Sequence, residues 1–287
     1  MACFVHAQPM SPDQYCQHKA AGSGSSFYAS FRFLPPVRRK AITALYAFCR
    51  EVDDIADDRT LSPETARREL AGWRREIADL YAGHPGHPVT RALLPHLASC
   101  ALEQAHFMAI IDGMEMDLDR HRYDTFGELA RYCWHVAGAV GILAAKIFGV
   151  SRPETLVYAE KLGLALQLTN IIRDVGEDIA IGRIYLPADE MARFGVTEND
   201  LSERRGGHAF TELMRFQADR ALALYDEAFA LLPDEDRAAQ KAGIMMASIY
   251  RELLLEIVRR GFPVLSRRVS LTKGKKLWLV WKAWLHE

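Results

Sequence analysis

Leu168-Thr169-Asn170-Ile171-Ile172-Arg173-Asp174-Val175-Gly176-Glu177-Asp178 is the stretch from which the chain is best read. On a helix, Asn170, Asp174 and Asp178 recur every four residues, so their oxygen-bearing side chains stack on one face at steps of about 6 Å. A second row stands far upstream, in Arg50-Glu51-Val52-Asp53-Asp54-Ile55-Ala56-Asp57, where Asp53 and Asp57 again share a face. Local propensity argues against both rows. Like charges four apart repel, Asp is a weak helix former, and Gly176 loosens its turn further. A sequence that breaks local rules twice in the same way points to function, and what both rows lack is a cation. Magnesium fits, because it prefers oxygen ligands and is usually held by one or two carboxylates together with substrate phosphates. Two acidic helix faces therefore predict a diphosphate site, against the plainer reading of each run as a solvated face.

Outward from these rows the pattern stays helical. Pro35-Pro36 opens a helix whose apolar positions Ile42, Leu45, Cys49 and Val52 keep helical spacing, and along it Tyr46, Arg50, Asp53 and Asp57 fall on one face. Arg50 has two equal readings there: a phosphate ligand, or a helix-stabilising partner of Asp54. Ser151-Arg152-Pro153-Glu154 caps the helix that runs through Leu162 and Leu166 to the second row, with Gln167 one turn before Asn170. Beyond the row, Gly182-Arg183-Ile184-Tyr185-Leu186-Pro187 reads as a loop over the metal end, from which Arg183 reaches a phosphate.

Residues 126–148 are apolar nearly all round, with Ala137, Gly138, Ala139 and Gly141 in the middle. Such a helix is central, and its small residues admit a close neighbour or a bulky ligand. Residues 89–119 predict two helical segments divided near Ser99-Cys100, with Met108 and Met114 in the core. His84 and His87 lie in a loop without Cys or carboxylate beside them, and read as a surface turn. The glycine-serine stretch Gly22-Ser23-Gly24-Ser25-Ser26-Phe27 is either a phosphate-binding loop or a flexible one. The last segment mixes Lys273, Lys275, Lys276 and Lys282 with Trp278, Trp281 and Trp284. It either docks on a bilayer surface or packs its tryptophans onto the domain. No strand pattern or repeat appears, so the expectation is an all-α single domain over 1–287, with a lead-in at 1–22 and a basic, Trp-rich terminal helix at 271–287.

Composition narrows the partners. A net charge of −1, with no long block of like charge, argues against nucleic acid. Five scattered cysteines without a CxxC pair argue against a disulfide framework or zinc site. Neither a secretory signal nor an apolar run of ~20 residues is read, so the expectation is a cytoplasmic protein that meets a membrane, if at all, peripherally on its inner face.

Asp53-Asp54-Ile55-Ala56-Asp57, Tyr132-Cys133-Trp134-His135-Val136-Ala137-Gly138-Ala139-Val140-Gly141 and Asn170-Ile171-Ile172-Arg173-Asp174-Val175-Gly176-Glu177-Asp178 together resemble the signatures of the squalene/phytoene synthase family, all-α head-to-head prenyl transferases. The resemblance spans nearly the whole chain. Gly24-Ser25-Ser26-Phe27-Tyr28 and the runs 41–54 and 111–117 look most like the bacterial presqualene diphosphate synthases of hopanoid pathways, with Gly24 where some relatives carry Ser. The resemblance implies an isoprenoid-synthase-type helical bundle around a central channel that takes two molecules of farnesyl diphosphate. It implies Mg2+, with Mn2+ as a substitute, on Asp53, Asp57, Asn170, Asp174 and Asp178. Catalytic roles are implied for Asp53, Asp57, Asp174, Asp178, Tyr46 and Arg50. Substrate contacts are implied for Ser23, Gly24, Ser25, Ser26, Tyr46, Arg50, Tyr132, Gln167, Arg173, Arg183, Tyr250 and Arg268. NADPH is implied only for a full squalene synthase, and product passes to downstream pathway enzymes. Squalene, dehydrosqualene and phytoene synthases share the same core, and a non-catalytic helical scaffold that binds a partner protein is the rival of another class.

Overall fold

The computed structural model describes residues 10–22, 31 and 34–286, with side chains as far as Ala283. The glycine-serine positions 23–26 lie outside the described residues. Helices α1 (Pro12–Gly22), α2 (Pro36–Asp57), α3 (Pro63–Tyr81), α4 (Pro88–Leu93) and α5 (Gln104–Asp119) form the first half, and no strand occurs among the described residues. The second half contains α6 (Phe126–Cys133), α7 (Ala139–Phe148), α8 (Glu154–Ala180), α9 (Ala188–Phe194), α10 (Glu198–Ser202), α11 (His208–Leu231), α12 (Asp234–Arg237), α13 (Lys241–Arg259) and α14 (Lys273–His286). The all-α expectation holds.

Buried apolar side chains form two clusters, one built mainly from the first half and completed by Ala139, Leu143, Ile147 and Phe148 of α7, the other built mainly from the second half. In the first, Ile42, Leu45, Phe48 and Val52 of α2 turn inward at helical spacing. Phe48 meets Trp73 and Phe107 edge-on at centroid distances of 5.6 and 5.2 Å. In the second, α8 is the axis: Leu162, Ala165, Leu168, Ile172 and Val175 are buried, and α7, α11 and α13 pack around it. The start of α8 is pinned by Asp236, distant in sequence, which accepts hydrogen bonds from Ser151 N (2.9 Å), Ser151 Oγ (2.5 Å), Arg152 N (3.1 Å) and Thr155 Oγ1 (2.5 Å). Burial pushes the Asp236 carboxyl up, but these donated bonds outweigh it and hold it down at about 2.

Three local expectations are revised. Residues 126–148 are not one helix: a π turn at Trp134–Gly138 divides α6 from α7. Its small residues serve a close neighbour, since a Cβ on Gly163 of α8 would lie 2.5 Å from the Ala137 carbonyl oxygen, and one on Gly141 would lie 2.4 Å from that of Ala159. The first segment of 89–119 is short, passing from α4 into a 3-10 turn at Leu94–His96 that contains Pro95. Finally, Trp278 and Trp281 do not pack onto the domain; they are exposed, and Leu279 is the buried residue of α14. Met114 is buried as expected, and His135 Nδ1 is 3.1 Å from the Ala109 carbonyl. His87 lies in a loop as expected and caps α4 by accepting from Val89 N, but a carboxylate does stand beside it, since Glu76 accepts from His87 N at 2.8 Å. Cys16, Cys49, Cys100 and Cys133 are unbridged, and no helix among the described residues is long and apolar enough to cross a membrane.

Gly163→Ala should destabilise the protein by about 2–4 kcal/mol in urea unfolding, because the intruding methyl meets backbone that cannot swing away. Asp236→Ala should cost about 2–3 kcal/mol through the donors it strands at the head of α8. The folded-state pKa of Asp236 lies below the ordinary value, so its charge-dependent stabilisation is complete above pH ~4 and is lost as pH falls toward ~2. Acid unfolding of the wild type and the variant should therefore converge at low pH.

Candidate active site

Helices α2 and α8 both enter the lining of one cavity with apolar residues and leave it with charged ones. The cavity has a volume of about 780 Å³. On α2 the lining runs from Ile42 to Asp53 and on α8 from Tyr158 to Arg173, lengths of ~16 and ~22 Å at the helical rise. Phe148, Met246, Ala144 and Leu162 make apolar wall, while Tyr46, Arg50, Asp53, Gln167, Asn170, Arg173 and Arg268 gather the polar groups. Tyr132 and Tyr250 also reach the lining. The side chains are thus graded along the cavity, from hydrocarbon to charge.

The remaining acidic residues bond to, or stand one helical turn from, this charged end. Arg183 Nη1 donates to Asp57 at 3.1 Å, and its Nη2 reaches the Ala56 and Asp117 carbonyls at 3.4 Å each. One guanidinium therefore ties the tail of α2 to the loop after α8, and it lies outside the cavity lining. Asp174 accepts from Arg173 Nε at 2.7 Å and lies 3.2 Å from Arg268 Nε, while Arg268 Nη1 is 3.3 Å from Glu177. Arg50 donates to Asp53 at 2.6 Å and also pairs with Asp54. The pairing with Asp54 is the helix-stabilising reading of Arg50, and the side chain also lines the cavity. Within the first acidic run, Glu51 and Asp54 belong to the scaffold, each 3.1 Å from Lys19 of α1, with Tyr15 donating to Glu51 at 2.7 Å.

The electrostatics leave room for a cation. Burial, then the charge of Asp57, pushes the Asp53 carboxyl up to about 6 against the pull of Arg50. Burial, then Asp174, pushes Asp178 up to about 7 against Arg183. Asn170 Oδ1 is buried and accepts no hydrogen bond, which is costly for an amide oxygen unless a ligand completes it. Among the described residues no three His, Cys, Asp or Glu side chains converge on one point, and Asp53, Asp57 and Asp174 are paired with arginines. Magnesium does not require such a cage, since phosphate and water complete its octahedron. The donor set is all oxygen, and the orphaned Asn170 carbonyl lies on the same face as Asp174. These residues fit the ion.

Asp117 was not singled out in the sequence, and it is the most enclosed acid at the site. Tyr132 and Tyr185 donate to its two oxygens at 2.9 and 2.8 Å, and their rings stack at 5.3 Å. Burial raises its pKa against the nearby Arg183 charge and these two phenols. The available signal was periodicity: Ile110, Met114 and Asp117 form one stripe, so an acid continues a buried apolar face. Asp117→Ala should cost about 2–4 kcal/mol in chemical denaturation by stranding two buried hydroxyls. Asp117→Asn, which keeps one acceptor, should recover part of that loss.

A family profile described as "Squalene/phytoene synthase" matches residues 20–275. The chain is 39% identical over 275 residues to the presqualene diphosphate synthase of Rhodopseudomonas palustris, covering 95% of this chain and 96% of that one. It is 36% identical over 280 residues to the phytoene synthase of Arthrospira platensis, covering 92% of this chain and 89% of the relative. A crystal structure of a dehydrosqualene synthase in complex with ligand superposes with a TM-score of 0.86 at 32% identity, covering 96% of each chain. The chain belongs to the squalene/phytoene synthase family of head-to-head prenyl transferases.

Proposed function

We propose that the chain condenses two molecules of farnesyl diphosphate head to head into presqualene diphosphate, with release of diphosphate and a requirement for magnesium. The observation that carries this reading is the graded cavity, apolar along its walls and flanked at one end by two acidic helix faces and three guanidiniums. Prenyl chains suit the apolar walls, and diphosphates suit the charged end. Arg50, Arg173 and Arg268, each bonded to a carboxylate, carry the planar fork that also matches phosphate oxygens. Magnesium on Asp53, Asp57, Asn170, Asp174 and Asp178 would supply Lewis-acid neutralisation of the charge growing on the leaving group.

The bond changes then balance without a redox partner. The C1–O bond of one molecule breaks, its electron pair leaves with diphosphate, and an allylic cation remains. The C2–C3 double bond of the second molecule attacks that cation, and loss of a proton closes a cyclopropane. Released diphosphate is the base this reading assigns to the proton. The apolar walls keep water from the cation, and Tyr46, Tyr132 and Tyr250 bring aromatic rings to the lining, where a ring face stabilises positive charge.

Purified protein should convert the C15 diphosphate with magnesium into a C30 cyclopropyl diphosphate, identified by extraction and mass analysis, and NADPH should not change that product. A C40 product from a C20 donor, or a reduced C30 hydrocarbon on adding NADPH, would overturn the reading. Asp53→Asn and Asp174→Asn should each lower kcat by about 10³-fold or more, with the helical circular-dichroism spectrum preserved. Full activity in either variant at saturating magnesium would remove the metal assignment.

A further inference from the structure

Helix α14 is apolar on two opposite sides, and only one of them faces the protein. Leu279 is buried and Val280 half-buried against the second core, and the helix packs on α13. The other side exposes Leu277 (70%), Trp278 (52%) and Trp281 (58%), which fall together at helical spacing. Grouped large apolar side chains in water mark a surface that meets something.

The segment that carries this patch has charge of one sign. Between residues 261 and 286 the sequence carries six Lys or Arg and no Asp or Glu, in a chain whose net charge is −1. Lys275 and Arg268 are held by acids, Lys275 at 2.7 Å from Glu252 and Arg268 at 3.2 Å from Asp174. Arg267, Lys273 and Lys282 are exposed in the same segment, and Lys282 Nζ stands 5.3 Å from the centre of the Trp278 ring. Tryptophan beside lysine on one exposed helical face is the arrangement that settles at the boundary between headgroups and acyl chains. A second copy of this chain meeting itself across a two-fold axis would bring these cations face to face, which disfavours a dimer here.

We propose that the outer face of α14 is a docking surface for an anionic lipid bilayer. The segment that leads into it also walls the cavity, through Arg268, Val269, Ser270, Leu271 and Lys276. Docking therefore brings a cavity wall alongside the membrane, where an amphiphilic isoprenoid product partitions. That last step rests on the proposed reaction, whereas docking itself rests on exposure and charge.

The full-length protein is mixed, without substrate, with vesicles of phosphatidylcholine alone or blended with phosphatidylglycerol, and binding is read by co-sedimentation. It should bind the anionic vesicles about tenfold more tightly than the neutral ones and lose that preference at ~0.5 M salt. A triple variant, Leu277→Ser with Trp278→Ser and Trp281→Ser, should bind them about tenfold more weakly, while its melting temperature and its turnover of the C15 diphosphate in detergent match the wild type. Equal binding of wild type and variant, or no binding by wild type, overturns the proposal. So does a dimer that the triple variant converts to monomer in lipid-free sedimentation, which would give the face to a second copy. Because binding is read without turnover, an inactive chain that still docks would contradict the reaction and leave the docking surface standing.

Discussion

Negative charges held close together in half-buried surroundings repel, and the rest of the site answers to that repulsion. Two unit charges 4 Å apart at an effective dielectric near 20 oppose each other by about 4 kcal/mol. The chain meets this with guanidiniums set beside its carboxylates: Arg50 at Asp53, Arg173 and Arg268 at Asp174, Arg183 at Asp57. Even so, Asp53 and Asp178 remain pushed up into the range from about 6 to about 7. The repulsion is therefore compensated in part by these ion pairs.

This arrangement needs two rigid helices whose charged ends stay opposed. Most of the scaffold can be understood as fixing α2 and α8 in place. Lys19 and Tyr15 of α1 hold the outer acids of α2, Asp236 fastens the start of α8, and Arg183 joins the two tails.

The helical order was legible because periodicity, proline starts and cap residues are local signals, and both acidic rows were legible because they violate local propensity. Features set by contacts distant in sequence were not. Gly176 reads as a weakness in its helix, yet a Cβ there would sit 2.5 Å from the Val264 carbonyl oxygen, so the residue admits the chain that crosses over α8. The π turn at Trp134–Gly138 contains no proline, and its Gly138 reads equally as a small packing residue of an unbroken apolar helix. Asp117 was overlooked because its meaning depends on Tyr185, far along the chain, and the outward tryptophans of α14 could be assigned a side only once Leu279 was seen to take the inner one.

Where the π turn and α7 cross α8, at Ala137, Gly141 and Gly163, the boundary of the cavity consists of main chain in direct contact with main chain. Such a boundary has nothing to prune. Redesign for bulkier or longer hydrocarbon would have to work on the rings and branched groups elsewhere on the perimeter, such as Phe148, Tyr158 and Met246. The bore is stiff on one flank and adjustable on the others, and this asymmetry confines adaptation to the side that has atoms to give up.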